Sequence, residues 1–231
     1  MNFSSNVDFE KSEQILAISV GHCNPGYLHN KILYNFEDSV REIHLGWHHY
    51  FLHTEIKSPQ SYIWKVPNLP KSRLKSVVAK CIIVAENQLQ VDKSPLPYAV
   101  GYFSGREFNE KGVYTDDITG IEYGMTCATF VLTMFKSVGV EILDWKNWIT
   151  REEDKEWFAY IISHLEKGHA VGRVSEEHLN NVTGEINCSR FRPEEVFGSL
   201  FCSSNPSTFE CSSNFGAIIK PFVMALPSEY E

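Results

Sequence analysis

The stretch Gly124–Phe135, "GMTCATFVLTMF", places a cysteine where a helix begins. Apolar residues at 130, 131, 134, 135 and 138 have the spacing of a buried helical face, and Gly139 ends the pattern. The spacing predicts a helix from about Thr126 to Val138. Cys127 then lies in the first turn, where free N–H groups and the positive end of the helix dipole favour a thiolate. A backbone amide there can also hold the oxygen of a carbonyl under attack. A small buried thiol serves a core helix equally well. The choice between the two readings depends on whether the chain brings a histidine to that sulfur.

Composition narrows the field. The 231 residues, 43% apolar, are enough to bury a core without metals or staples, so one domain is expected, with a C-terminal helical and loop extension from about residue 150. A net charge of -8, with only 21 Lys and Arg and no concentrated basic face, argues against a nucleic-acid partner. No apolar run approaches the roughly 18–20 residues of a membrane span, and "MNFSSNVDFEKSEQ" has no basic and apolar leader regions. A cytoplasmic protein is therefore expected, unless a non-standard route exports it. The cysteines at 23, 81, 127, 188, 202 and 211 form no C-x-x-C pair; free thiols are expected, with 188, 202 and 211 near enough for a bridge after export.

Outward from the cysteine helix, Glu13–His22 reads as a strand, "HCNPGYLHN" as a loop, and Ser39–Ile56 as a half-buried strand with Ile43, Leu45 and Trp47 alternating against His44, Gly46 and His48. A short strand at "SYIWKV" and an amphipathic helix over Lys71–Gln88 follow. "GREFNEKGVYTDDITG" reads as a surface loop. Later helices are predicted at Thr150–Lys167, with Thr150 as N-cap, and at "SRFRPEEVFGSLF", opened by Pro193. Cys202–Gly216 reads as loop and "AIIKPFVMAL" as a closing strand. The plan is α+β.

His44 is the histidine the alternation offers to Cys127, and Gly46 beside it leaves room for a substrate or another backbone. His44-Leu45-Gly46-Trp47 resembles the histidine strand of the NlpC-like branch of the papain superfamily. Thr126-Cys127-Ala128-Thr129-Phe130-Val131 is similar to the cysteine helix of its permuted members, the YiiX-like proteins and lecithin:retinol acyltransferase relatives. Pro97-Tyr98 resembles a pair many of them carry between the two motifs. The likeness spans roughly residues 13–140. It implies a permuted papain-like fold, an antiparallel sheet packed against a cysteine-bearing helix.

The resemblance further implies a cysteine hydrolase cleaving an amide, isopeptide or ester bond of a peptide, protein or acyl substrate through a thioester. Cys127 would be the nucleophile and His44 the base, with Glu55 or His53 holding the ring. Tyr98 would donate to the oxyanion or cover the core. The alternatives are an acyltransferase with the same thioester and a silent interaction module. "HHYFLHTE" lacks the turn residue that family members place after the histidine strand. His48, His49 and His53, without a Cys or Asp pattern nearby, read as polar strand residues; no metal and no cofactor are expected.

Overall fold

Eight antiparallel strands and six α-helices occur among the described residues of the computed structural model, 4–5, 9, 12–24, 26–56, 61–90, 96–103, 105–116, 124–185 and 187–228, and build an α+β fold. Strands β1 (Ser4–Ser5), β2 (Leu16–Asn24), β3 (Tyr27–Phe36), β4 (Ser39–Trp47), β5 (Tyr50–Glu55) and β6 (Tyr62–Lys65) form one sheet in the order β1-β6-β2-β3-β4-β5. Apolar residues line both of its faces. Leu16, Ile18, Val20, Ile32, Ile43 and Leu45 belong to the main core with the helices, whereas Ala17, Leu33, Val40, Tyr62 and Trp64 form a smaller cluster with Phe9.

Two corrections fall in the sheet. The segment expected as a loop after His22 is a hairpin: β3 begins at Tyr27 and runs ten residues, with Val20 opposite Asn30 and Gly21 opposite His29. The single strand expected over Ser39–Ile56 is β4 and β5, joined at His48–His49, where His49 itself takes a left-handed backbone conformation (φ 56°). Histidine visits that region more readily than most side chains, so the turn is closed without Gly or Asn. The β3–β4 connection uses Glu37 and Asp38, both at positive φ, as a tight hairpin requires.

Helix α1 (Lys71–Gln88) has the predicted bounds, and the segment expected as a surface loop is partly a hairpin of β7 (Arg106–Phe108) and β8 (Tyr114–Asp116). Phe108 and Tyr114 anchor that hairpin in the core, Phe108 ring-to-edge with Phe130; residues 117–123 lie outside the described residues. Helix α2 (Cys127–Lys136) starts at the cysteine and Gly139 follows it at φ 73°. It packs on the core face of β3 and β4, with Phe130, Met134 and Phe135 fully buried. Truncating such a phenylalanine typically costs ~3–5 kcal/mol, so α2 is a fixed element of the core.

The C-terminal third departs most from expectation. Helix α3 (Asp154–Ala170) starts four residues after the predicted cap, because the Thr150 hydroxyl bonds Ser189 instead. Helices α4 (Glu176–Gly184), unforeseen, and α5 (Pro193–Gly198) follow. The expected closing strand belongs to helix α6 (Phe209–Met224), which absorbs Pro221 and begins inside the expected loop, capped by Thr208. Cys202 and Cys211 are disulfide-bonded, against the expectation of free thiols; Cys81, Cys127 and Cys188 remain thiols. Helices α5 and α6 pack on β2, and α5 also on β3. No helix among the described residues is long and apolar enough to cross a membrane.

Candidate functional site

The start of α2 is fixed from two sides. Thr126 and Thr129 form a reciprocal cap: the Thr129 N–H donates to Thr126 Oγ1 at 3.1 Å, and the Thr126 N–H to Thr129 Oγ1 at 2.8 Å. Just before it, Met125 N–H donates to the Pro97 carbonyl and Ala99 N–H to the Met125 carbonyl. Gly124 makes that close pairing possible, since a Cβ there would lie 2.5 Å from the Pro97 oxygen. The Tyr98 backbone is clamped in turn: its N–H donates to His48 Nδ1 at 3.2 Å, and its carbonyl accepts from His178 Nε2 at 2.9 Å. Tyr98 is thereby tied to the cysteine helix.

Cys127 opens onto a cavity of about 330 Å³, which His29, Gly46, Trp47 and Tyr98 also line. The β3–β4 ladder runs from Phe36↔Ser39 to Ile32↔Ile43, and the cavity residues His29 and Gly46 come from beyond its end. There the backbone N–H of Asn30 approaches the Cys127 sulfur, as does that of Ala128 in the helix's own first turn. The thiol therefore sits against the peptide that joins His29 to Asn30.

His44, expected as the partner of Cys127, is not among the residues lining that cavity. Its Nδ1 lies 2.7 Å from His29 Nε2, with the two rings edge-on. The other nitrogen of His44, Nε2, is 3.9 Å from Glu42 Oε1, and Glu42 Oε2 bonds Lys31 Nζ at 3.0 Å. A carboxylate on that side favours the proton on His44 Nε2. His44 Nδ1 then accepts from His29 Nε2–H, which leaves the lone pair of His29 on Nδ1.

The expected orienters fall elsewhere. Glu55 is exposed and pairs with Arg41 at 3.4 Å; His53 bonds the Tyr34 hydroxyl at 2.7 Å and stacks on that ring. Neither lines the cavity. Gly46 and Tyr98 do, and a Cβ on Gly46 would run into the Tyr50 ring. Sequence reading missed His29 because it lay in a supposed loop. Its signal was the run Leu28–Tyr34 behind Pro25-Gly26, followed by the Glu37-Asp38 turn: a histidine strand, a turn and then a second histidine strand.

Burial sets the resting charges. It pushes the Cys127 thiol up to about 12, against the pull of the Asn30 and Ala128 N–H groups and Arg190. Burial, then the Lys31 charge, brings His29 down to about 3, and burial with His29 and Lys31 holds His44 well below the ordinary imidazole range. Burial and the neighbouring Cys127 keep Tyr98 protonated, hence a donor. As single groups, thiol and imidazole rest neutral.

The lowered histidine carries a stability consequence. Unfolded histidine protonates near pH 6.5, folded His29 only near 3, so between these values the unfolded chain binds more protons. Stability should fall as pH drops from about 6.5 toward 3. Thermal unfolding at pH 7, 6 and 5 should show decreasing midpoints, with a shallower slope in His29→Gln; equal slopes in the two proteins would contradict it.

The His48 ring packs at a tilt against those of His49 and His178, at 4.0 and 4.8 Å, and no group of residues suited to a metal ion occurs among the described residues. No family model, no curated protein and no solved structure matches the chain.

Proposed function

We propose that the protein is a cysteine hydrolase of papain-like design, acting on an amide, isopeptide or ester, with Cys127 as nucleophile, His29 as base and His44 as positioning residue. The observation that carries this reading is the contact of the Cys127 sulfur with the backbone beside His29, where both residues line one cavity and His44 holds the far nitrogen of the ring. The role expected of His44 passes to His29, and His44 takes the one expected of Glu55 or His53.

His29 Nδ1 removes the thiol proton as sulfur attacks the carbonyl carbon, and the oxygen takes up negative charge. Two donors serve that oxygen: the Cys127 backbone N–H, which has no intrahelical acceptor in the first turn, and the Tyr98 hydroxyl. His29 then protonates the leaving amine or alcohol, and a thioester remains on Cys127. Water, deprotonated by His29, attacks the thioester; the acid departs and the thiol regains its proton. His44 keeps His29 in the required tautomer throughout, as the third member of a triad does.

The test is a small activated ester, p-nitrophenyl acetate. Wild type should release p-nitrophenol in a burst, and acid-quenched protein should carry one acetyl group that peptide mapping places on Cys127. Cys127→Ala should show neither. Acetyl groups on surface lysines alone, with the same p-nitrophenol release from Cys127→Ala, would refute the reading.

A further inference from the structure

We infer that the cavity beside Cys127 receives its substrate through a carboxylate bound by Arg190; the inference rests on the reading of Cys127 as the reacting group. The C-terminal third, which the sequence left without a role, contributes Trp157, Tyr160, Arg190, Arg192, Glu194 and Lys220 to the cavity lining. Their charges do not cancel.

Lys220 and Glu194 pair at 3.2 Å and remove one another from the count. Arg151, Arg190 and Arg192 share two buried carboxylates, Asp154 and Glu195, leaving one positive charge in surplus. Glu153, 3.5 Å from Arg192, is largely exposed and contributes little through solvent. Arg151 engages both oxygens of Glu195 and one of Asp154. Arg192 gives Asp154 two bonds, at 2.8 and 3.1 Å.

Arg190 is the guanidinium left short. Its one approach to Asp154 is 3.4 Å, longer than the ~2.7–2.9 Å of a charge-assisted bond. Its Nε is buried with no hydrogen-bond partner among the described residues. The guanidinium lies 4.1 Å over the Trp157 ring, which fixes its plane and leaves its edge for a ligand. Its charge reaches Cys127, whose thiol it pulls down. A planar monoanion matches one surplus charge and a forked donor edge, whereas a phosphate dianion would overbalance them. The substrate class is therefore an acyl compound, peptide or amino-acid derivative, carrying a carboxylate near the bond attacked.

Two alkylating agents of almost equal size test this. Iodoacetate carries a carboxylate next to the carbon attacked, and iodoacetamide does not; both read the same thiol, so the ratio of their rates at Cys127 cancels any change in thiol reactivity. The wild-type ratio should exceed that of glutathione by tenfold or more, and Arg190→Gln should bring it back to the glutathione value. In wild type alone, succinate should slow alkylation by iodoacetamide in a saturable way while succinamide does not, a result that stands even if the variant fails to fold. A glutathione-like ratio in wild type, no protection by succinate, or better protection by inorganic phosphate would overturn the proposal. Failure of the hydrolase reading would look different: no acetyl group on Cys127 in the ester test, with the alkylation ratio still reporting on Arg190.

Discussion

His29→Ala is expected to slow acylation of Cys127 by p-nitrophenyl acetate about 10²–10⁴-fold, the usual contribution of a positioned general base. The loss should be largest near neutral pH and shrink in alkali, where hydroxide removes the thiol proton unaided. His44→Ala should cost less, because Nδ1 of His29 remains in place while its ring loses the acceptor at 2.7 Å. His44→Asn should recover part of that loss, since its side-chain oxygen can accept from His29 Nε2–H. Recovery separates positioning from simple packing, which asparagine would not restore. If His29→Ala acylates at the wild-type rate while folded, as judged by its unfolding transition, His29 is not the base.

Asp154→Ala is expected to destabilise the fold by about 3–5 kcal/mol, the range for removing one partner of a buried ion pair. Asp154 is fully buried, and three guanidiniums converge on it: Arg151 Nε at 3.0 Å, Arg192 Nη2 at 2.8 Å and Arg190 Nη1 at 3.4 Å. Without the carboxylate, Arg151 would keep Glu195, while Arg190 and Arg192 would lose the buried anion they share. For a domain stable by ~5–15 kcal/mol this is a large fraction of the total. Urea unfolding of wild type and variant, compared at equal slope, reads the difference. A change below about 1 kcal/mol would mean that solvent already screens the cluster and the carboxylate is dispensable.

Local pattern was enough for part of this chain. Helix α1 and the start of α2 could be read because apolar spacing and the Gly139 stop act within a few residues. β3 was missed because its run of buried residues lacks alternation: both faces of the sheet are covered there, and a strand buried on both sides carries no period-two signal. The segment Ala217–Leu226 looked like a strand from its apolar run, yet packing against the sheet and α5 makes most of it helix despite Pro221. Arg190 had no local signature; its importance comes from which carboxylates meet it in space.

By itself, the sequence determined an α+β chain with Cys127 in the first turn of a buried helix, since periodicity and a glycine stop are properties of neighbouring residues. Only the tertiary structure decided which histidine lines the cavity with that cysteine. His44 and His29 lie fifteen residues apart on adjacent strands, and the end of the β3–β4 ladder brings His29 to the cavity and sets His44 behind it. A one-residue change of register would turn every side chain of a strand to the other face. Which histidine lines that cavity is therefore fixed by strand pairing rather than by any motif.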